Sequence, residues 1–381
     1  MKSTRFVSAV ATLAGCREAP ALLPEQPVAY IFRSEGDLVW SSLGYLSGFV
    51  ANIQATRYQV QPVLQAFQGT IHVSHGRGHG TLQILDHRYQ QVAQIQGLTP
   101  STRAPSPSRL AATALLSESS AAISPPSSIA RARLRSSTRC ALPEPLCRRC
   151  HRDHLILDNS AWAFGLENEN QETLHPHPRA LIVQLNHVDN SKTVLQSYAS
   201  PDHLSAASQG NAQVLPNGHV FVNWGQESAV TEFRADGTPI FDAFLDTGAS
   251  IQSYRGFRVE WTGRPREVPA IVTLRDGAEA GVYVSWNGDT EVALWRFYAQ
   301  DGDTADATSV RKIGEAQGVS FETAVTISTR SLQDPGTRAR IFAAGFDKNG
   351  NVLSRTREVA VQEDFHASAG GCDQGDELGD L

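Results

Sequence analysis

The sequence predicts an all-β fold, and three observations support this prediction. Short runs that alternate apolar and polar residues recur along most of the 381 residues, as in half-buried strands. Turn-forming triplets such as Pro216-Asn217-Gly218 and Ala235-Asp236-Gly237 separate these runs. Four runs lie between Ala212 and Leu245, and four strands in about 35 residues is the size of one propeller blade. The pattern therefore favours a β-propeller, with a β-sandwich as the alternative.

Residues 1–26 form a poorly defined N-terminus with two interpretations. Lys2 and Arg5 precede the apolar run Phe6–Gly15, and Leu13–Cys16 matches a lipoprotein cleavage box, which is typical of an export signal. The alternative is a truncated or mis-started N-terminus. An extracellular or secretory location is therefore open, and the sequence leaves the localisation unknown.

Composition excludes two classes of function. The net charge is −6, so the chain lacks the basic footprint of a nucleic-acid-binding protein. Its apolar runs are shorter than the roughly 18 residues that a transmembrane helix needs. The five cysteines do not form a persuasive disulfide framework, because three of them crowd into one segment at Cys140, Cys147 and Cys150.

Residues 27–98 are the first predicted set of blades. Val28–Phe32 and Leu38–Trp40 flank Glu35-Gly36-Asp37, which is a hairpin signature. Further strands are predicted at Pro62–Phe67, Thr81–Asp86 and Gln91–Ile95.

Residues 99–155 have a different composition, rich in Ser, Pro, Ala and Arg and without an aromatic residue. Such a segment cannot bury enough apolar surface to offset its ordering entropy, so it is predicted to be disordered or to be a translation of non-coding sequence. The segment contains Cys147-Arg148-Arg149-Cys150-His151, which matches a haem c attachment pattern and, with His154, a zinc pattern. We interpret both as chance matches, because no packed fold is predicted around them.

Residues 156–305 return to strand and turn sequence and are the second predicted set of blades. Strands are predicted at Ala180–Leu185, Thr193–Tyr198, Ala212–Leu215, Val220–Trp224, Val230–Phe233, Ile240–Leu245, Val282–Trp286 and Glu291–Tyr298. Residues 306–362 are predicted to form a small β-sandwich-like module that contains the hairpin turn Asp347–Gly350. Residues 363–381 are acidic and Gly-rich and are predicted to be disordered.

Several stretches, in order along residues 27–97 and 156–300, resemble the fungal arylsulfotransferase-like propeller family. The matching stretches are Gly36–Trp40, Gly48–Asn52, Gln65–Gly69, His75–His79, Asp158–Ala161, Ser208–Gly218, Val222–Gly225, Gln252–Arg258 and Val284–Thr290. A single Asn-Gly turn would carry no information, whereas this many ordered matches is specific.

The resemblance implies a propeller of about six blades, which is incomplete in this chain. It also implies sulfuryl transfer. In the wider group a histidine in the central channel takes a sulfuryl group from an aryl sulfate and passes it to a phenol, while other His and Arg side chains stabilise the sulfate oxygens. No nucleotide donor and no cofactor are implied. The implied partner is a small aryl sulfate or phenol, without nucleic acid or a membrane span.

The sequence departs from the family where that chemistry would reside. The family's His-x-Asn, Arg-His and Gln-His-Asp motifs are absent, and they would fall between about 98 and 157. Gly80 also stands where the family has a second histidine. The catalytic residues are therefore unknown, and the polypeptide as written is expected to be inactive or incomplete.

Anion or substrate binding is predicted for eight residues. His75 and His79 surround Arg77 in a Gly-rich stretch, where imidazoles and a guanidinium could hold an anion. The same stretch could hold a metal ion, but no carboxylate is nearby in the sequence, so we expect no metal site there. The other candidates are Gln209, Asn211, Asn223, Tyr254 and Arg255. The amides could line the channel or satisfy backbone groups between blades, and Arg255 is a permanent forked cation.

Three functions remain open from the sequence. The first is a sulfotransferase-like propeller without its catalytic residues, the second is a non-enzymatic propeller that serves as a binding platform, and the third is a propeller oxidoreductase. A propeller that lacks blades would also expose sheet edges, which favour self-association.

Overall fold

The computed structural model describes residues 5–11, 28–72, 77–96, 151–158, 161–163, 171–173, 177–186, 189–204, 206, 209–245, 253–300, 310–329, 333–334 and 337–363. These residues form strands and turns, together with a 3-10 helix at Gly225–Glu227, so the all-β prediction is confirmed. The strand pairs are antiparallel except for one short parallel pair, in which Leu274 and Arg275 lie opposite Gln362 and Glu363. Across these ranges, no helix has the length and apolarity that a membrane crossing requires.

The chain divides into two units. The first comprises Met1–Arg266 with Asn287–Thr290, and the second comprises Glu267–Trp286 with Glu291–Leu381. The strands of the first unit are β1 (Arg5–Ala11), β2 (Ala29–Arg33), β3 (Leu38–Ser41), β4 (Phe49–Tyr58), β5 (Gln61–His72), β6 (Arg77–Leu85), β7 (Gln91–Gln96), β8 (His151–Asp158), β9 (Ala161–Ala163), β10 (Gln171–Thr173), β11 (Arg179–Asn186), β12 (Ser191–Ala199), β13 (Asn211–Val214), β14 (Val220–Asn223), β15 (Ala229–Phe233), β16 (Pro239–Phe244) and β17 (Phe257–Glu260).

Four main sheets build the first unit. Sheet 1 has the strand order β17-β1-β2-β3, and sheet 2 has the order β4-β5-β6-β7. Sheet 3 has the order β12-β11-β8, and sheet 4 has the order β13-β14-β15-β16. Sheets 2 and 4 are simple meanders, because each strand pairs with the next strand along the chain. Sheet 1 differs, since its first strand, β17, comes from far along the chain.

Sheets 1 and 2 share a core made of aliphatic and aromatic side chains from both sheets. Trp40 and Ile31 of sheet 1 and Leu64 and Ala66 of sheet 2 are fully buried in this core. Sheets 3 and 4 share a second core, to which sheet 3 contributes Ala180 and Tyr198 and sheet 4 contributes Val220, Val222, Trp224 and Phe233. Burial of these apolar surfaces is the main favourable contribution to the stability of the unit.

Tyr89 is the polar centre of the first core. Its ring stacks on Trp40 with 4.9 Å between the centroids, and its backbone is left-handed with φ 61°. The hydroxyl accepts a hydrogen bond from Trp261 Nε1 at 3.0 Å and donates one to the Gly288 carbonyl at 2.8 Å. Burial raises the pKa of this phenol far above its ordinary value. Tyr89 therefore joins sheet 2, the residue after β17 and the segment Asn287–Thr290.

The second unit contains two main sheets that share one core, and a separate two-stranded pair. Its strands are β18 (Ala270–Asp276), β19 (Glu279–Ser285), β20 (Leu294–Gln300), β21 (Val310–Gln317), β22 (Glu322–Ser328), β23 (Gln333–Asp334), β24 (Thr337–Arg338), β25 (Arg340–Phe346), β26 (Val352–Arg355), β27 (Val359–Ala360) and β28 (Gln362–Glu363). Sheet 5 has the order β22-β19-β18-β28, and sheet 6 has β21-β20-β25-β26, with β27 also pairing β25. Val282 and Val284 of sheet 5 and Phe297 and Ile341 of sheet 6 belong to the shared core.

Most of the predicted strands correspond to observed ones, and the predicted domain bounds stay a prediction. Strands β18, β19 and β20 lie in the same two sheets as the strands of residues 306–362, whereas the sequence pattern grouped them with the blades. Blades and sandwiches use the same strand-and-turn pattern, so the boundary at Glu267 has no local signature. Strand β8 begins at His151, inside the compositionally unusual segment, extends beyond it to Asp158 and pairs with β11 along its whole length.

Several predictions fall outside the described residues. These concern residues 97–150 with the three central cysteines, residues 1–4 and 12–27, and the tail 364–381. At His151 only the strand backbone is described, so the metal-binding and haem patterns stay untested.

Replacing Tyr89 by phenylalanine tests the polar centre of the first core. Tyr89→Phe keeps the stacked ring but leaves the buried Trp261 N–H and Gly288 carbonyl without their partner, so we expect a loss of about 1–3 kcal/mol in unfolding free energy. Urea unfolding of the full chain, followed by tryptophan fluorescence, measures the loss. Tyr58→Phe, a half-buried tyrosine on β4, is the control and should cost less than about 0.5 kcal/mol. Equal costs for the two variants would contradict the role of the Tyr89 hydroxyl.

Candidate functional site

Five of the predicted site residues lie together where three segments of the first unit meet. The segments are 209–211, which leads into β13, 223–225 at the end of β14, and 253–256 before β17. The Gly210 N–H donates to the Tyr254 carbonyl at 3.1 Å, and the Ser253 N–H donates to the Gly225 carbonyl at 3.0 Å. Backbone contacts thus hold Gln209, Asn211, Asn223, Tyr254 and Arg255 in one place, which we call the junction.

Gly210 is needed for this close approach. Its φ is +83°, and a Cβ atom on it would lie 2.5 Å from the Asn223 carbonyl oxygen and 2.7 Å from a Leu157 methyl carbon. Both the left-handed backbone and the lack of space therefore require glycine. The chain at Gly210, just before β13, therefore lies closer to the end of β14 and to Leu157 of β8 than a residue with a side chain could lie.

Two side-chain amides pair with the backbone of the segment that leads into β17. The Asn211 amide donates to the Gly256 carbonyl at 2.8 Å and accepts from the Gly256 N–H at 2.9 Å. The Gln213 amide binds the backbone of Arg258 in the same two-bond manner, at 3.1 and 2.9 Å. In an antiparallel strand, alternate residues present their backbone groups to opposite edges. Strand β17 therefore pairs with β1 along one edge, and the two amides occupy its other edge.

Asn223 also satisfies local polar groups. It is fully buried, its Oδ1 accepts from the Gly225 N–H at 2.9 Å, and its Nδ2 donates to the Ser253 hydroxyl. The sequence left two roles open for Asn211 and Asn223, lining a channel or satisfying polar groups between sheets. In the structure both buried amides bond to backbone or hydroxyl groups of neighbouring segments, which is the second role.

Tyr254 and Arg255 present a cation at the edge of this network. The Arg255 guanidinium lies 5.7 Å from the centroid of the Tyr254 ring, and both side chains are half-buried. Tyr254 itself packs against Phe49, Ala51 and Phe67 of sheet 2. Within the described part of the chain, Arg255 forms no ion pair, so its hydrogen-bond donors are available to an anion.

The Gly-rich stretch lies on the strand next to Phe67. Gly80 faces Gly69 across β5 and β6, and a Cβ atom on Gly80 would lie 2.2 Å from the Gln68 carbonyl oxygen. No histidine side chain fits at this position, which explains the glycine there. His79 is exposed opposite Thr70, the Arg77 backbone pairs with His72, and His75 lies outside the described residues.

An ion network beside the junction was missed by the sequence reasoning. The buried Glu232 carboxylate contacts the Arg258 Nε at 3.0 Å and the His219 Nδ1 at 2.7 Å. Arg258 also donates to the Ser34 hydroxyl at 3.0 Å and lies over the Phe241 ring. Arg258 is thus committed to a carboxylate, whereas Arg255 is not. An acidic residue inside the apolar run Ala229–Phe233 was the signal that could have revealed this buried pair.

A second polar chain crosses sheet 4. Trp224 Nε1 donates to the Thr231 hydroxyl at 2.8 Å, and this hydroxyl donates to Asp242 at 2.6 Å. Burial, followed by the hydrogen bond and charge of Asp202, raises the pKa of Asp242 above its ordinary value of 3.8. The folded chain therefore binds a proton at Asp242 more tightly than the unfolded chain does.

The remaining histidines do not form a metal centre in the described residues. The rings of His177 and His203 are 4.5 Å apart, and His154 lies on β8 opposite Val183. Among the residues that the structure describes, no three His, Cys, Asp or Glu side chains are placed to hold a metal ion. His175, the other half of the His-Pro-His-Pro sequence, is outside the described ranges.

Comparison with known proteins links the central part of the chain to one family. The family model described as Arylsulfotransferase (ASST) matches residues 156–245, which include sheet 4 and most of sheet 3. No curated protein matches the chain. The match includes Gln209, Asn211 and Asn223 of the junction and ends before Tyr254 and Arg255.

Removing the Asn211 amide tests the two-bond contact with Gly256. Asn211→Ala leaves a buried N–H and a buried carbonyl of Gly256 without partners, so we expect a loss of about 1–3 kcal/mol in unfolding free energy. Chemical unfolding of the full chain measures it. Gln94→Ala removes an exposed amide on β7 that bonds only to Thr81 at the sheet edge, and it should cost less than about 0.5 kcal/mol. A cost for Asn211→Ala no larger than for this control would refute the contact.

The carboxyl pair predicts a pH dependence of stability. The pKa of Asp242 is higher in the folded state than in the unfolded state. At pH values just above the ordinary aspartate pKa, the folded state therefore binds more protons than the unfolded state. The unfolding free energy consequently falls as pH rises through this window. Asp202→Asn removes the neighbouring charge and brings this pKa down. We therefore expect a higher Tm than wild type at pH 7 and a smaller decrease in Tm between about pH 4 and pH 6.

An opposite-sign control is available in the same sheet. The backbone and side chain of Thr238 hold the pKa of the exposed Asp236 below its ordinary value, so its stabilising effect is present at neutral pH and is lost in acid. Asp236→Asn should lower Tm at pH 7, whereas Asp202→Asn should raise it. Shifts of the same sign in thermal scans would show that Asp202 does not act on Asp242 as described.

Proposed function

We propose that the first unit is a β-propeller related to the arylsulfotransferases, and that its Tyr254–Arg255 pair binds an aryl sulfate or a phenol. We further propose that the chain as written binds such a compound without transferring its sulfuryl group. The observation that carries the proposal is Arg255, a cation held on an aromatic ring next to the rigid junction and without an ion pair in the described residues.

The stacking of the sheets supports the propeller. Sheet 3 packs on sheet 4 through Tyr198 and Phe233, whose rings are 5.5 Å apart. Sheet 4 contacts sheet 1 through Glu232 and Arg258, and sheet 1 packs on sheet 2 through Trp40 and Tyr89. Antiparallel sheets of three or four strands that stack face to face, two of them four-stranded meanders, resemble the arrangement of propeller blades. Strand β17 comes from far along the chain and completes the sheet that contains β1. Propellers close their ring in the same manner, with one sheet built from early and late strands.

The chemistry of an aryl sulfate fits the Tyr254–Arg255 pair. A guanidinium binds sulfate oxygens through two parallel N–H groups, and an aromatic ring offers its face to the aryl group. Because Asn211 and Gln213 fix the backbone on the C-terminal side of Arg255, the cation is positioned before the ligand arrives. Asn211 and Gln213 thus support the proposed binding indirectly, by holding the backbone next to Arg255.

The absence of turnover is proposed from the sequence. Sulfuryl transfer through a histidine needs an imidazole next to cations that stabilise the transferred group. The whole chain lacks the His-x-Asn, Arg-His and Gln-His-Asp motifs that supply these groups in the family it resembles. In the described residues, Arg258 and His219 are held by the same buried carboxylate.

A titration with 4-nitrophenyl sulfate tests binding and turnover together. We expect saturable binding by calorimetry and no release of coloured 4-nitrophenolate above the buffer rate when phenol is added as acceptor. Arg255→Gln should weaken binding about tenfold or more, since a charge-assisted hydrogen bond contributes about 1.5–3 kcal/mol. Arg357→Gln, an exposed arginine of the second unit, is the control and should bind like the wild type.

Each outcome of this titration decides a part of the proposal. Absence of saturable binding, or equal affinity for Arg255→Gln and the wild type, would overturn the binding site. Release of 4-nitrophenolate that depends on the protein and on phenol would overturn the claim that the chain does not transfer the group.

A further inference from the structure

We propose that the outer face of sheet 6, in the second unit, binds an acidic polysaccharide, a polymer of sugar rings that carry sulfate or carboxylate groups. This site is separate from the Tyr254–Arg255 pair, and the proposal goes beyond the function proposed above. It rests on a layer of cations that lies directly on aromatic rings.

The two faces of sheet 6 differ sharply. Trp295, Phe297 and Ala299 alternate along β20 and point into the core that sheet 6 shares with sheet 5. The intervening residues of β20, Arg296 and Tyr298, therefore lie on the opposite face. On that outer face, aromatic rings lie against the sheet and charged groups cover them on the side away from the core.

Aromatic rings fix the position of two guanidinium groups. The Arg355 guanidinium carbon is 3.6 Å from the centroid of Phe342, and that of Arg296 is 4.5 Å from the centroid of Phe346. The Tyr298 ring stacks on Phe342 with 5.1 Å between centroids. Phe342 is 6% exposed, although it lies on the outer face, because the arginine covers it. The cations are thus held against the sheet before any ligand arrives.

The charge of this face is opposite to that of the whole chain. Register places Lys312 opposite Tyr298 and Arg340 opposite Gln300, so they share the face with Arg296 and Arg355. The acidic groups that contact these cations are Glu315, which binds Arg296 and Lys312, and Glu358, which binds Arg355. Among the residues that the structure describes, these four cations and two carboxylates give a net charge of +2, whereas the whole chain carries −6.

These ion pairs are weak enough to be replaced by a ligand. The side chains of Lys312, Glu315 and Arg355 are each 47% exposed, and exposed pairs contribute about 0–1 kcal/mol. The hydrogen bond from Lys312 and the charge of Lys312, with a smaller effect of Arg296, hold the pKa of Glu315 below its ordinary value. A sulfate or carboxylate can therefore take the place of a glutamate without a large cost.

The moderate charge and the half-exposed Tyr298 ring favour a polysaccharide over a nucleic acid. A nucleic acid presents a charge at every phosphate and requires a dense basic surface. An acidic polysaccharide carries more widely spaced charges, and its sugar rings pack their apolar C–H faces on aromatic side chains. A face with a net charge of +2 and one accessible ring fits the second ligand better.

Binding of dextran sulfate and of alginate to the full chain tests the proposal. We expect saturable binding of at least one of them in low salt, weakened by added salt because the contacts are screened. Sulfate and carboxylate are distinguished by the two polymers, and neutral dextran should not bind. Arg340→Gln and the double variant Arg340→Gln/Arg355→Gln should weaken binding progressively, to about a tenth of the wild-type affinity in the double variant.

Two controls keep the test decisive. Lys348→Gln removes an exposed cation from the β25–β26 turn and should leave the affinity unchanged, and circular dichroism checks that all variants stay folded. Arg340→Gln alone carries the test if the double variant unfolds. The proposal is overturned if neither acidic polymer binds, if Lys348→Gln weakens binding as much as Arg340→Gln, or if a single-stranded oligonucleotide of similar length binds more tightly than both polymers.

Discussion

The structure of the first unit depends on two side-chain amides that complete the edge of strand Phe257–Glu260. Backbone hydrogen bonds to Arg5–Ala11 place this strand in sheet 1, and the Asn211 and Gln213 amides join its other edge to sheet 4. An open strand edge would expose unpaired N–H and C=O groups. Because the amides satisfy these groups, two sheets that share no backbone ladder are held in one register, and Tyr254 and Arg255 are fixed immediately before them.

Two arginines on either side of this contact have different electrostatic roles. Arg258 shares the buried Glu232 carboxylate with His219, so its charge serves to offset the cost of burying that carboxylate. Arg255, three positions earlier, lies on Tyr254 and forms no ion pair in the described part of the chain. The division follows from the alternation of side chains in an extended segment. Arg258 thus serves the fold, and Arg255 is the cation to which we assign the proposed anion binding.

Local features of the fold could be predicted from the sequence, and long-range ones could not. The turn at Glu35-Gly36-Asp37 and the strands on either side follow from alternation and turn residues within a few positions. The pairing of Asn211 with Gly256 joins residues 45 positions apart, and no local pattern encodes it. For the same reason the sequence located Asn211 and Asn223 at the site but could not choose between ligand contact and backbone satisfaction. Glu232 was the exception, because an acid within an apolar strand could have been noticed.

Hydrogen exchange at the Gly256 and Arg258 amides of the wild-type chain tests the central contact most directly. Their N–H groups donate to the Asn211 and Gln213 side chains rather than to a neighbouring strand. If the amides close this edge, both N–H groups should exchange as slowly as the Val222 amide inside sheet 4, since all three would open only with the unit. Exchange as fast as that of Asp236 in the exposed turn would mean that the edge is open and that Tyr254 and Arg255 are not held in place.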